Sequence, residues 1–545
     1  MCGAWTQTVR MAVLAAGVLC GCTRNASDTT HSAMHSSLDA SAEVDGAPAP
    51  RALPLLAPTE GEWADKGHGP GQAGDRYATI VENPFRSAGQ NPLSTFSIDV
   101  DTASYSKVRM YLMQHNTMPN PDAVRIEELI NYFTYNYPGP QEEHPFATHV
   151  EVADCPWKPE HRLVRIGVKG KEIEQQRPAS NLVFLLDVSG SMDEPNKLPL
   201  LKRGMKMLVD QLGENDRVAI VVYAGAAGLV LDSTPGDQKQ KILDALERLE
   251  AGGSTNGGQG IQLAYQTALD NFVPGGANRV ILCTDGDFNV GVTNDGDLVR
   301  LAEKNARAGV FLTVLGFGMG NHNDQMLETL SNKANGNYAF LDSDAEARRV
   351  LVEQVNATLV TIAKDVKIQI EFNPAQVAAW RLIGYENRLL TAEDFNDDQK
   401  DAGEIGAGHT VTALYEIVPV GVESDVAVGS VDDLKYQSQG QLSEAAQSDE
   451  LLTLKIRYKK PDEDQSTLLT VPVPASNKKF AAASSDFQFA AAVAAFGMLL
   501  RDSQHKGNAT YDAVLEIAQS AQGQDPGGYR AEFIELVQRA KARGE

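Results

Sequence analysis

A buried strand followed by a polar turn is encoded in Leu182-Val183-Phe184-Leu185-Leu186-Asp187-Val188-Ser189-Gly190-Ser191. The apolar residues at its start do not alternate with polar ones, which is typical of a strand covered on both faces of a parallel sheet. In open α/β sheets, ligands bind beyond the carboxyl ends of such strands. The carboxylate of Asp187 and the hydroxyls of Ser189 and Ser191 therefore fall where a binding site would lie.

Two further segments place oxygen atoms at the same edge of the predicted sheet. Val280-Ile281-Leu282-Cys283-Thr284 is a second short apolar run, and Asp285 follows it directly. Between the two runs, residues 252–258 contain too many glycines for a helix interior and offer the hydroxyl of Thr255 in a loop. Oxygen ligands without histidine or thiolate favour Mg²⁺, Mn²⁺ or Ca²⁺ over zinc or copper. The sequence therefore predicts a site for a hard divalent cation.

These residues resemble a known kind of metal site. All five positions of the metal-ion-dependent adhesion site of von Willebrand factor type A (VWA) domains are matched, by Asp187, Ser189, Ser191, Thr255 and Asp285. The resemblance implies that the hydroxyls contact the metal directly, that the aspartates hold it largely through water, and that an Asp or Glu of a partner protein takes the open position. Mg²⁺ is the first candidate, with Mn²⁺ or Ca²⁺ as alternatives.

Charge counting agrees with this interpretation. Two carboxylates neutralise one divalent cation and leave it able to accept one more anionic oxygen. Taken alone, residues 187–191 also match an ordinary helix N-cap, because caps favour Asp and Ser. The hydroxyl of Thr255 and the carboxylate of Asp285, which arrive later in the chain in the expected order, favour the metal site over the cap.

Strand and helix patterns alternate from about residue 180 to 362. Strands are predicted at residues 218–223 and 310–315, and helices at residues 295–308, 324–334 and 345–359. Such alternation specifies a doubly wound, mainly parallel α/β sheet with helices on both faces. The same Rossmann-like fold is what the resemblance to VWA domains implies. We assign residues 176–363 to this domain.

The amino terminus resembles that of bacterial lipoproteins. Residues 11–19 are apolar, and Leu19-Cys20-Gly21-Cys22 is similar to a lipobox in which Cys22 is lipidated. The apolar run is too short to span a bilayer as a helix. We expect a signal peptide over residues 1–21 and a lipid anchor on Cys22. Alternatives are a plain secretory signal and a start at Met11.

This anchor predicts a location in the cell envelope. Thr23 follows Cys22, where an Asp would be expected for retention at the inner membrane of lipoproteins of this kind, so the resemblance favours the outer membrane, with the protein facing the periplasm or the surface. Residues 22–75 are rich in Ser, Ala, Gly, Pro and Asp and have little periodic hydrophobicity. We therefore predict a flexible tether between the lipid and the folded protein.

The segment 76–175, before the VWA domain, predicts a helix to about residue 112, a second near 123–133, and strands near 149–153 and 163–169. It also contains Asp99-Val100-Asp101-Thr102, which is similar to the nucleophile loop of haloacid-dehalogenase-type phosphatases. A Mg²⁺-dependent phosphatase using Asp99 and Asp101 is therefore an alternative function. The simpler interpretation is that Asp101 is the N-cap of a helix beginning near Ala103.

Strands predominate after residue 364, followed by helices from about residue 487 to the end. Residues 380–388 and 404–409 resemble the carboxy-terminal region, of unknown function, of one group of bacterial VWA lipoproteins. We assign residues 364–545 to this region and expect that it forms one β-rich body with the segment 76–175. The apolar helix near 487–500 is shorter than the twenty or so residues needed to cross a membrane, so we expect it to be buried in that body.

Composition limits the classes of function. The net charge of −24 argues against nucleic-acid binding, because a phosphate backbone would be repelled. Cys155 and Cys283 lie outside the signal peptide; a disulfide between them is an alternative to two buried thiols. We expect an exported, lipid-anchored protein that binds an acidic residue of a partner protein through a divalent cation. Neither catalysis nor a small-molecule substrate is expected, and a structural envelope protein with an unused metal site is the third alternative.

Overall fold

The computed structural model describes residues 75–141, 143–173, 177–253, 257–286, 295–319, 322–429 and 442–544. The predicted signal peptide, Cys22 and the predicted tether up to residue 74 lie outside these residues, and so does Thr255. The strands in the described residues, β1 to β16 in chain order, are Arg86–Ser87, Leu93–Ser97, Phe146–Cys155, Lys158–Gly170, Ser180–Asp187, Arg217–Tyr223, Ala227–Pro235, Ala277–Thr284, Val310–Phe317, Tyr338–Leu341, Thr361–Phe372, Val377–Ile383, Gly403–Gly406, Thr410–Pro419, Glu450–Lys459 and Thr467–Pro474. The α-helices in the described residues, α1 to α12, are Ala103–Arg109, Ile126–Asn131, Leu198–Asp210, Lys239–Glu247, Gly257–Asp270, Asp295–Arg307, Asp324–Asn332, Asp344–Arg348, Val355–Leu359, Ser485–Leu500, Tyr511–Ser520 and Tyr529–Gly544.

The central sheet has the strand order β10-β9-β8-β5-β6-β7. Strands β10, β9, β8, β5 and β6 run parallel, and β5, in the middle, is buried along its whole length. One face is covered by apolar side chains of α3, α4 and α8, and the other by those of α5, α6 and α7. This is the doubly wound α/β sheet that the alternating pattern predicted, and the prediction is confirmed.

The last strand of this sheet, β7, was not predicted. It runs antiparallel to β6 at the edge of the sheet and has several partly exposed residues. A two-sided apolar run marks a central strand, but an edge strand is half solvated and lacks that signal. The predicted helix 345–359 is also interrupted, because a π-helical turn, Arg349–Glu353, separates α8 from α9.

A β-rich body flanks the central sheet in sequence on both sides. One of its sheets has the order β1-β12-β14-β4-β3, and the other contains β13, β11, β15 and β16 with β2 paired to β11. Strand β4, before the VWA domain, pairs with β14, after it. The apolar side chains between the two sheets form one core, in which Phe372 stacks on Trp380 with ring centroids 4.9 Å apart. The body is thus built from both flanking segments.

Helices α10, α11 and α12 complete this body. Their apolar side chains pack with those of α1, α2 and the segment Tyr132–Tyr137 in a separate core. Helix α10 is buried on nearly every side, and Arg501 after it pairs with Glu386 at 2.7 Å. Within the residues that the structure covers, every helix is too short or too polar to span a bilayer.

Ion pairs buried between α1, α2 and the VWA domain attach it to the body. Arg109 contacts Asp342 and Glu346, each at 2.8 Å, and Lys107 pairs with Asp324. Arg125, just before α2, also contacts Asp324, at 2.9 Å. Removing one member of such a pair would leave an uncompensated buried charge, which is strongly destabilising.

The prediction that Asp101 caps α1 is wrong. The N-cap residue is Thr102, and its side chain makes no capping hydrogen bond. Asp101 instead accepts a hydrogen bond from the backbone N–H of Tyr338 at 2.7 Å and pairs with Arg388 at 3.2 Å. A distant strand and a distant arginine compete successfully for this carboxylate, and no local pattern reveals either of them. Cys155 and Cys283 are both buried and are not joined in a disulfide.

Candidate metal site

Asp187 is the last residue of β5 and is fully buried. Its Oδ1 accepts a hydrogen bond from the backbone N–H of Ser189 at 2.8 Å, which turns the chain sharply after the strand. The hydroxyl of Thr284, at the end of the neighbouring β8, lies 3.5 Å from Oδ2. The carboxylate is therefore held at the carboxyl edge of the sheet, where the sequence placed it.

The two serines lie beside it. The hydroxyl oxygens of Ser189 and Ser191 are 3.1 Å apart; Ser189 is buried and Ser191 is exposed. The backbone N–H of Gly190 donates to the carbonyl of Gly253 at 3.2 Å. The described end of the glycine-rich loop therefore touches the serine segment, and Thr255 follows two residues later, outside the described residues.

Asp285 joins the group from β8, which lies next to β5 in the sheet. It is 6% exposed. Its Oδ2 contacts the ammonium group of Lys197 at 3.1 Å, whereas its Oδ1 is buried and has no hydrogen-bond partner among the described residues. A buried acceptor without a partner is unfavourable, so this oxygen is a ready ligand for a cation.

Lys197 is a member of the site that the sequence analysis missed. It is the residue before α3, 4% exposed, and its Nζ also donates to the carbonyl of Ser191 at 3.0 Å. Gly318, at φ +64°, leaves space for its side chain, because a Cβ at Gly318 would overlap the Lys197 stem. One signal was available: a lysine at a helix N-terminus opposes the helix dipole and needs a local anionic partner.

A row of buried polar side chains lies behind the site. Tyr338 donates to Asp324 at 2.8 Å, and His322 Nε2 lies 2.5 Å from the Tyr338 hydroxyl. Burial, aided by the charge of Lys107, lowers the pKa of His322 to about 3, so the imidazole is neutral and carries a single N–H. Because the Tyr338 hydroxyl donates to Asp324, that N–H is on Nε2 and donates to the Tyr338 oxygen. Nδ1, 3.3 Å from the carbonyl oxygen of Asp285, therefore contacts the site without a hydrogen bond.

The surroundings of the buried Asp187 carboxyl disfavour its ionised form. Burial first, and then the nearby Asp285, raise its pKa from 3.8 to about 6, although hydrogen bonds from Ser189 oppose the rise. Counting Asp187, Asp285 and Lys197 gives one net negative charge when all are ionised. A divalent cation would make the site positive by one, rather than neutral as the two carboxylates alone suggested.

The residues fit a divalent cation. The site offers hydroxyl and carboxylate oxygens, an unpartnered buried oxygen on Asp285 and a carboxyl on Asp187 whose ionisation burial opposes. Asp187, Ser189, Ser191 and Asp285 would hold the ion. VWA domains typically bind a divalent metal at such a site.

Two other groups of carboxylates lie elsewhere in the described residues. One contains Asp99, Asp101 and Glu328, and the other contains Asp365, Asp401 and Glu404. In the first group, Arg388 contacts Asp99 at 2.9 Å and Asp101 at 3.2 Å. The carboxylates of the predicted phosphatase loop are thus engaged by an arginine.

Comparison with known proteins agrees with this architecture. The von Willebrand factor type A domain matches residues 181–358, a region described as von Willebrand factor matches residues 71–165, and the C-terminal region of the uncharacterized protein YfbK matches residues 357–542. Fold and sequence together define a bacterial protein with a VWA domain.

Individual proteins resemble this chain to different extents. YfbK of Escherichia coli (strain K12) is 43% identical over 480 residues, which are 86% of this chain and 81% of YfbK. Protein sll0103 of Synechocystis is 26% identical over 320 residues, 57% of this chain and 70% of its own length. A solved von Willebrand factor type A structure from Catenulispora acidiphila is 16% identical, with a TM-score of 0.41, and the match covers 74% of this chain and 92% of that one. The chain belongs to the YfbK family.

Proposed function

We propose that this protein is an exported, lipid-anchored binding protein whose VWA domain uses a divalent cation, most simply Mg²⁺, to engage an Asp or Glu of a partner protein. VWA domains commonly mediate protein–protein interactions, which supports the general class. The observation that carries the proposal is the buried Oδ1 of Asp285, which has no hydrogen-bond partner in the described part of the chain, together with the hydroxyls of Ser189 and Ser191. The exposed position of Ser191 leaves the outer side of this group open to another molecule.

The charges in the site favour an acidic partner. Lys197 contributes a positive charge next to Asp285, so a bound divalent cation supplies a centre that attracts a further anionic oxygen. Asp187 and Asp285 orient this centre, and Lys197 adds its charge through the contact with Asp285. A carboxylate from a partner protein would then restore neutrality, and charge complementarity of this kind gives specificity and fast association.

Capture of a partner tests the binding role. The tethered protein is crosslinked in intact cells, and the purified protein is then tested for capture of the recovered partner in Mg²⁺ and in EDTA. Asp187→Ala should abolish capture in Mg²⁺ without unfolding the protein. Asp193→Ala is the matched control, because Asp193 is an exposed acid in the same turn and makes no side-chain hydrogen bond or ion pair with the described site residues. Full capture by wild type in EDTA would contradict the proposal.

The lipid anchor is tested separately. Cys22→Ser should prevent labelling with a radioactive fatty acid and release the protein from the membrane fraction, whereas the neighbouring Cys20→Ser should not. Labelling that persists in the Cys22 variant would show that another residue is modified or that the anchor lies elsewhere.

Assays of the purified variants and of cells that carry them test the alternatives. Metal-dependent hydrolysis of a generic phosphate ester, lost in Asp99→Ala and kept in Asp187→Ala, would favour the phosphatase. Unchanged growth, envelope integrity and crosslinking in cells that carry Asp187→Ala would favour a structural protein with an unused metal site. The binding proposal predicts neither result.

A further inference from the structure

A cavity lies between the VWA domain and the β-rich body, away from the metal site. Its volume is about 510 Å³, and it is lined by Arg279 and Lys333 from the domain and by Asp401 and Glu404 from the body. This volume is within the range of pockets that bind small molecules. Arg279 is near the start of β8, whereas Asp285 follows the end of the same strand, so the cavity and the metal site are about 20 Å apart along the strand.

Within the described residues, Arg279 is a buried cation without a carboxylate partner. It is 2% exposed, donates one hydrogen bond to the Thr313 hydroxyl at 2.8 Å, and lies over the ring of Phe311 with 5.6 Å to its centroid. It makes no ion pair with any residue that the structure describes. Burial lowers its pKa to about 10, with Glu404 opposing the change. A guanidinium has five N–H donors, so most of its hydrogen-bonding capacity is available to a ligand.

Arg388 lines the same cavity and shows what a satisfied arginine looks like here. It pairs with Asp99 at 2.9 Å and with Asp101 at 3.2 Å, and it donates to Asn332 at 2.9 Å. Buried charges in proteins are normally paired in this way. The difference between the two arginines therefore marks Arg279 as the position where an anionic group is missing.

Glu404, across the cavity, is a carboxyl group with no ion-pair partner among the described residues. Its Oε1 is buried and has no hydrogen-bond partner in the described part of the chain. Its carboxylate lies with those of Asp365 and Asp401 in a group whose oxygens are all within 4.8 Å of one another. Burial, and then the charges of Asp401 and Asp365, raise the pKa of Glu404 well above its usual value. A cationic group at this end would stabilise the ionised carboxylate of Glu404.

Neither a metal ion nor a simple anion matches both ends of the cavity. A divalent cation beside Glu404 would be repelled by Arg279, and Asp365 is already paired with Lys459 at 2.7 Å. A simple anion at Arg279 would be repelled by the acidic group. A molecule with a carboxylate and an ammonium a few ångströms apart satisfies both charges at once.

We propose that this cavity binds a small zwitterion of the α-amino-acid class, with its carboxylate on Arg279 and its ammonium on Glu404 and Asp401. The remaining volume accommodates the ligand's side chain. The ligand is bound and not converted, and it contacts both the VWA domain and the body. This site is independent of the metal site.

Calorimetry and thermal unfolding of the full chain, in EDTA so that the metal site plays no part, test the proposal with the twenty L-amino acids as probes. At least one should bind, whereas acetate and methylammonium, which each carry only one of the two charges, should not. Arg279→Met and Glu404→Gln should each weaken binding at least tenfold. Because burial already favours a protonated Glu404, its isosteric Gln variant should fold normally.

Matched controls are Arg248→Met and Glu393→Gln, which remove the same groups from exposed positions and should bind like wild type. Absence of binding by every amino acid at millimolar concentration would overturn the proposal. Equal binding of acetate would replace it with a simple anion site. In a buffer without EDTA, binding of Mn²⁺ or Ca²⁺ that is lost in Glu404→Gln and retained in Asp187→Ala would replace it with a metal site.

Discussion

Replacing Asp187 by Asn should stabilise the metal-free protein at neutral pH. Asn retains the oxygen that accepts the Ser189 N–H and removes only the charge. Burial first, and then Asp285, raise the pKa of the native carboxyl from 3.8 to about 6. A pKa difference of about two corresponds to about 3 kcal/mol. Above pH 6, where the carboxyl is ionised in the native state, the free energy of unfolding of wild type is lower by this amount.

The pH dependence follows from the sign of this shift. The native state holds the proton more tightly than the unfolded chain, so the loss of stability develops as the pH rises from about 4 to about 6 and is constant above that. Wild type and Asp187→Asn should therefore be equally stable at pH 3.5, if both remain folded there. At pH 8 in EDTA the variant should be more stable by about 3 kcal/mol.

Mg²⁺ should remove most of this difference. A ligand at one hundred times its Kd stabilises the native state by about 2.7 kcal/mol, and Asp187→Asn should lose most of that gain because it lacks one ligand-orienting charge. Urea unfolding followed by circular dichroism measures all of these differences, since the VWA domain has no tryptophan. Asp193→Asn, in the same turn but exposed, is the control. A variant no more stable than wild type at pH 8 in EDTA would refute the electrostatic argument.

Three further changes test other parts of the structure. Lys197→Met should tighten Mg²⁺ binding by about tenfold or more in calorimetry, because the ammonium repels the cation and competes for a carboxylate; weaker binding would mean that the lysine organises the site. Arg109→Met should lower the free energy of unfolding by about 3–5 kcal/mol in urea, because it strands the buried carboxylate of Asp342. A loss below 1 kcal/mol would show that the pair is dispensable. Gly167→Ala should cost about 1–3 kcal/mol, because its Cβ would overlap the ring of Tyr137; thermal unfolding of Gly89→Ala, at a position with ordinary contacts, provides the comparison.

The sequence was sufficient for the central elements of the VWA domain. Strand β5 could be predicted because five consecutive apolar residues leave no polar face for solvent, and Asp187 had to follow it at the carboxyl edge. Asp285 was predicted by the same reasoning after β8. These inferences succeed because burial on both faces of a strand is a local property that the residue types record.

Predictions failed where partners come from remote segments. Lys197 enters the site because Asp285 attracts it and Gly318 leaves it room. Asp101 turns away from α1 toward Arg388. In both cases the position of a charged side chain depends on an opposite charge more than eighty residues away along the chain.

The sequence by itself determined the alternation of strands and helices, the edge of the sheet at which polar groups collect and the hard-oxygen character of the predicted ligands. Only the tertiary structure decided the charge of the site, through Lys197, and brought Arg279 and Glu404, which have no ion-pair partners among the described residues, to one cavity. The physical reason is the distance over which each interaction acts. Hydrophobic burial is written into neighbouring residues, whereas the energy of a charge depends on every other charge and on the depth of burial that folding gives it.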